Sequence, residues 1–126
     1  MSGHGIIRLP AEWEPQSAVQ LTWPHAKSDW AGTLHDVEPC FDAIAVAISR
    51  FEPVIIACPN PEHVKARLER AGAEMERVRL YQAETNDTWA RDHGPITVVR
   101  DGSLMLLDFA FNGWGGKFPA ELDDSL

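Results

Sequence analysis

The chain has 126 residues, 44% hydrophobic and 24% charged, a composition that specifies a globular domain rather than a disordered segment. Its formal net charge of −8 argues against a nucleic-acid-binding surface and is compatible with a small cationic ligand. Two cysteines, Cys40 and Cys58, make no disulfide framework and join no zinc-like ligand spacing, and no apolar run approaches the roughly 20 residues that span a bilayer.

The opening residues, "MSGHGIIRLP", lack a secretory core, so a reducing cytoplasm is the expected location, with no membrane partner. "SAVQLTW" (17–23) alternates apolar and polar residues and predicts a strand ending at Pro24; residues 24–33 read as a loop. From Asp36 to Phe51 the spacing predicts a helix, with Val37, Cys40, Phe41, Ile44, Ala47, Ile48 and Phe51 on one apolar stripe. Asp36 or Thr33 would cap it, and Pro39 requires a place in its first turn. "VIIAC" (54–58) is short, apolar and β-branched, which predicts a strand covered on both faces. A second helix follows, capped by Asn60, begun at Pro61 and stopped at Gly72. "ERVRLYQ" (76–82) alternates as a strand. "PITVVR" and "SLMLLDFAF" then flank Asp101-Gly102, a strong hairpin signal. Strand, helix, strand, helix, strand, loop and hairpin in that order predict an α/β domain with a mixed sheet. The tail "FNGWGGKFPAELDDSL" reads as a loop followed by no further element.

The loop "NDTWARDHGP" (86–95) concentrates acids, an indole, an arginine and a histidine, and loops on a rigid scaffold are where function gathers. Asp87 and Asp92 offer acceptors; Trp89 and Trp114 offer flat, electron-rich faces. Carboxylate and aromatic face together suit a planar cation such as guanidinium, held by paired hydrogen bonds and by cation–π attraction. Three glycines around Trp114 would let the backbone turn sharply there. Arg91 could anchor the loop by pairing with a neighbouring acid. Plainer roles stand beside these: Asp92 as a turn aspartate, Trp89 and Trp114 as core plugs, His93 as a structural histidine. Cys40 on its helix stripe and Cys58 at the end of a strand read as inert core thiols.

Three segments, "LPAEWEPQSAVQLTWP" (9–24), "NDTWARDHGPI" (86–96) and "LLDFAFNGWGGKF" (106–118), resemble the agmatine deiminases, grouped with bacterial-type peptidylarginine deiminases in the guanidine-modifying superfamily. The resemblance runs from Leu9 to Phe118. It implies part of a five-bladed, pentein-like α/β propeller, with residues 1–126 forming a single N-terminal portion of that domain. It implies a hydrolase acting on amidine C–N bonds, converting agmatine to N-carbamoylputrescine and ammonia on the way to putrescine, with neither metal nor organic cofactor. A cysteine thiolate attacks the guanidinium carbon and a histidine protonates the departing ammonia. Matched onto this chain, Asp92 becomes the guanidinium-binding catalytic carboxylate. Trp89 lines the substrate channel, Trp114 and Gly115 form part of its wall, and Asp87 and Arg91 support the loop. The family's catalytic histidine and cysteine fall after the last of these segments, so the chain alone is expected to be inactive and to self-associate through uncovered strand edges. The alternatives are deimination of arginine in peptides and a non-catalytic guanidine-binding or assembly module.

Overall fold

The computed structural model describes residues 6–11, 13–28, 30–90, 94–107, 110, 113 and 121–124. In chain order these give β1 (Ile7–Arg8), β2 (Val19–Thr22), α1 (Leu34–Ser49), β3 (Val54–Cys58), α2 (Pro61–Ala71), β4 (Val78–Gln82), β5 (Ile96–Arg100), β6 (Ser103–Leu107) and a short α3 (Glu121–Asp124). The α/β alternation follows the expected order. The strands do not share one mixed sheet, however. Among the described residues they form two: a wholly parallel sheet ordered β2-β3-β4 and a wholly antiparallel one ordered β1-β5-β6. The division is physical. Strands joined by helical crossovers pair in parallel, whereas the two-residue loop at 101–102 forces its strands antiparallel.

Local chemistry explains most boundaries. The Asn60 side chain accepts the His63 N–H at 3.2 Å, and Pro61 occupies the first helical position, where its missing N–H costs nothing. Gly72 turns left-handed with φ +87°, so Ala73 N–H reaches the Leu68 carbonyl at 3.0 Å and closes α2. Asp101 and Gly102, with φ of 51° and 77°, form the two-residue hairpin turn between Arg100 and Ser103.

The start of α1 departs from expectation. The helix begins at Leu34 after a 3₁₀ turn (Ala31–Thr33), and Thr33 takes the N-cap position without a side-chain capping bond. Pro39 therefore lies in the second turn, where it cannot bond the His35 carbonyl. The apolar stripe also divides. Ala45 is buried, with Phe41 and Ile48 packed against the core, but Cys40, Ala47, Ile44 and Phe51 face outward, the last 83% exposed. Cys40 is thus not a core thiol. The inward face is completed by Glu38 and Ser49, polar residues that find partners inside.

The core lies between α1, α2 and one face of the parallel sheet. Trp23, Ala45, Val54, Ile56, Cys58, Val64, Leu68 and Val78 compose it. Contrary to the reading of β3 as covered on both faces, its alternate residue Ile55 is 37% exposed. Both helices pack on the side of Val54 and Ile56, leaving the Ile55 face outside this core. Glu38 ties three elements together: its carboxylate accepts the indole N–H of Trp23 at 2.9 Å and meets His63 Nε2 at 2.8 Å. Arg67 grips Asp42 through two bonds of 3.1 and 2.7 Å, which holds its proton more firmly than usual. No helix among the described residues is long and apolar enough to cross a membrane.

Candidate functional site

The segments leaving the carboxyl ends of β2 and β4 run on from the ladder. Trp23 N–H bonds the Ala57 carbonyl and Ala83 N–H bonds the Cys58 carbonyl, each at 2.9 Å. The carboxyl edge of a parallel sheet is where α/β proteins commonly place ligand sites. Here the loop after β2 meets the loop after β4. His25 Nε2 lies 3.0 Å from the Thr85 carbonyl and 2.9 Å from its hydroxyl, while Lys27 N–H donates to Nδ1 at 3.1 Å. That pattern puts the ring proton of a neutral His25 on Nε2, donating to Thr85. The Trp30 indole N–H donates to the Thr88 hydroxyl at 2.8 Å, and its ring packs at 5.9 Å and 44° against Trp89.

Trp89 is 42% exposed, so it is not a core plug. Its orientation has an identifiable cause: the indole N–H donates to Asp87 Oδ2 at 3.0 Å. The other oxygen of Asp87 accepts the Thr88 N–H at 2.9 Å. Asp87 is itself buried and stands at the root of the loop.

The tail expected to be pure loop contributes α3, which clasps this segment. Asn86 Oδ1 accepts the N–H groups of Leu122 and Asp123 at 2.9 and 3.2 Å. Reciprocally, the Asp123 carboxylate accepts the N–H of Asn86 at 2.7 Å and of Asp87 at 3.1 Å. Asp123 is 2% exposed, a buried acid satisfied by backbone amides.

Arg91, Asp92 and His93 lie outside the described residues, as do Trp114 and Gly115. Their flanks are described. Gly94 N–H bonds the Ala90 carbonyl at 2.7 Å, tying the two ends of the 91–93 segment to each other. A Cβ on Gly94 would stand 2.7 Å from that same oxygen, so no larger residue fits without a shift. Gly113 is buried with φ +68°, a conformation that favours glycine directly before Trp114. Among the described residues no group of histidine, cysteine and acidic side chains could hold a metal ion.

His25, Trp30, Asn86 and Asp123 escaped the sequence reading. Trp30 and His25 follow a parallel strand just as the 86–95 loop does, and that shared position was the available signal. Nothing local marks Asp123, whose partners are 36 and 37 residues away.

Fold and site together define an α/β domain with an aromatic and acidic loop at the carboxyl edge of its parallel strands. Residues 8–126 match the Porphyromonas-type peptidyl-arginine deiminase family, and the chain belongs to it. It is 37% identical over 110 residues to the agmatine deiminase of Stutzerimonas stutzeri, covering 86% of this chain and 29% of that protein. The structure of C. jejuni agmatine deiminase with substrate bound superposes with a TM-score of 0.86 at 34% identity, over 96% of this chain and 35% of that one. A Porphyromonas gingivalis structure shares 48% identity with a TM-score of 0.83, over 94% of this chain and 34% of its own. The chain spans about a third of the length of these relatives and corresponds to their N-terminal portion.

Proposed function

We propose that this chain supplies the guanidinium-holding part of a deiminase, with agmatine as the substrate and N-carbamoylputrescine and ammonia as products, in cytoplasmic putrescine synthesis. One observation carries the reading on this chain's own residues. Asp87, buried, holds the Trp89 indole half-exposed at the carboxyl edge of the parallel sheet, three positions before Asp92. A fixed, exposed indole beside an acid is what a flat cation needs: the ring contributes about 0.5–2 kcal/mol and a carboxylate adds paired hydrogen bonds. The agmatine deiminases of Stutzerimonas stutzeri and C. jejuni support the same substrate class.

In this proposal Asp92 grips the guanidinium nitrogens, Trp89 and Trp114 line the channel with Gly115, and Asp87 and Arg91 brace the loop. A thiolate adds to the guanidinium carbon, and ammonia leaves with a proton from a histidine. Water then displaces the sulfur to give the ureido product. The thiolate does not come from Cys58: it is buried, and burial pushes its pKa up to about 11, the reverse of what a nucleophile needs. Cys40 sits on the outward side of α1, a turn-and-a-half into a helix rather than at the loop. On the family resemblance, nucleophile and histidine are assigned to residues outside 1–126, and this stretch is read as one part of a five-bladed propeller domain.

Calorimetry of the 126-residue chain with agmatine, an arginine-containing peptide and putrescine tests the binding step. Agmatine is expected to bind, putrescine to fail, and Trp89→Ala or Asp92→Asn to weaken agmatine several-fold. Equal binding of putrescine and agmatine would overturn a guanidinium site. The second reading, peptidyl-arginine as substrate, is favoured by the family match itself; preference for the peptide over agmatine would select it. Binding of guanidines without turnover when the chain forms part of a complete protein would select a non-catalytic module.

A further inference from the structure

The backbone of 86 and 87 is coil, yet its two N–H groups are spent on one buried carboxylate, Asp123. The next link is short. Asp87, whose N–H is held by Asp123, uses its own carboxylate to orient the Trp89 indole. Asn86, the other half of the clasp, returns two bonds to the first turn of α3. We propose that Asn86 and Asp123 are positioning residues of this site, fixing where the Trp89 ring stands and so the affinity for the guanidinium group; the ligand in this statement rests on the function proposed above.

A contact serving only to dock α3 could join the loop anywhere between β4 and β5. This one acts on the peptide units immediately before the residue that holds the indole. A rotation of the 86–87 peptide would carry the Asp87 carboxylate away from Trp89 Nε1, which it meets at 3.0 Å. Trp30 contributes a lateral stop, through its bond to the Thr88 hydroxyl and its ring contact with Trp89.

The test uses the ¹⁵N-labelled 126-residue chain. The Trp89 indole N–H resonance is assigned by its loss in Trp89→Phe. Its hydrogen exchange is then followed in Asp123→Asn, Asp123→Ala and Asn86→Ala, with Val64→Ala as a destabilised control whose site is intact. Loss of both amide bonds is expected to speed Trp89 indole exchange and weaken agmatine binding, each by roughly tenfold in Asp123→Ala. Asp123→Asn, which keeps one acceptor oxygen, should fall between it and the unaltered chain. Val64→Ala should lower the unfolding midpoint while leaving the Trp89 resonance in place. Should Asp123→Ala fail to fold, Asn86→Ala and Asp123→Asn decide the matter. An unchanged Trp89 resonance and exchange rate in those two variants would overturn the assignment. If the unaltered chain binds no guanidine at all, the ligand reading falls separately, while the indole exchange still reports whether Asp123 directs Trp89.

Discussion

Replacing Glu38 should expose how the parallel layer is held. Its carboxylate is 7% exposed and receives the indole N–H of Trp23, itself 1% exposed, at 2.9 Å. The second donor, His63, has a half-exposed side chain and can recover its hydrogen bond from water. Arg67, 3.6 Å away, keeps its two bonds to Asp42. In Glu38→Ala the cost is therefore concentrated on the stranded Trp23 donor, about 1–3 kcal/mol, plus a lost charge-assisted bond of about 1.5–3 kcal/mol, for a total of about 2.5–6 kcal/mol. Trp23 and His63 share one oxygen, Oε2, so Glu38→Gln can keep both bonds by placing its amide oxygen there and loses only their charge assistance, about 1 kcal/mol. Urea unfolding followed by tryptophan fluorescence measures both, and the slope with denaturant should stay constant. A Glu38→Ala variant that unfolds within 0.5 kcal/mol of the unaltered chain, about the noise of surface substitutions, would refute the reasoning.

Further expectations concern the thiols, the turn and the open surfaces. Ellman's reagent should titrate Cys40 in the folded chain and Cys58 only after denaturation, because Cys40 is exposed and Cys58 is not. The raised Cys58 pKa has a definite sign: above the ordinary value of 9.0 the unfolded thiol ionises first, so stability should fall as pH rises from there to about 11. The loss is at most on the order of 2–3 kcal/mol, and a Cys58→Ala variant with the same alkaline slope would refute it. Gly94→Ala places a methyl 2.7 Å from the Ala90 carbonyl oxygen and should cost about 1–3 kcal/mol or displace the 91–93 segment. An unchanged melting point together with unchanged agmatine affinity would count against it. Leu104, Leu106 and Phe51, 71%, 66% and 83% exposed, make self-association of the 126-residue chain the expected behaviour. Sedimentation equilibrium should show mass rising with concentration, and a constant monomer mass would remove that proposal.

Where order is set by neighbours in sequence, it could be read in advance. Asn60, Pro61 and Gly72 bound α2 with their own side chains and dihedrals, and Asp101-Gly102 makes its turn without outside help. Reading α1 as one apolar stripe failed because its inward side is built from Glu38, Ala45 and Ser49. An acid and a serine look like surface residues until a buried indole and the Glu74 N–H claim them. Likewise β1 is only two residues long, and no periodicity can announce so short a strand. At the candidate site, the crowding of 86–95 was visible, with acids and indoles read as joint partners of a flat cation, but the hydrogen bond from the Trp89 indole to Asp87 was not. The clasp from Asp123 and the stop from Trp30 were not, since each is a single side chain acting across a long separation.

The pairing of Ile7 and Arg8 with Arg100 and Val99 draws together two regions that are remote in sequence. The closure is entropically tolerable, since each doubling of loop length adds only about 0.6 kcal/mol. Because local contacts close sooner than distant ones, β1 is expected to join after the hairpin has formed from adjacent residues. A fluorophore attached at Ile6, next to the Ile7–Arg100 pair, would then sit near the Asp101-Gly102 turn. Its perturbation would be felt by the hairpin rather than by the helices that come next along the chain.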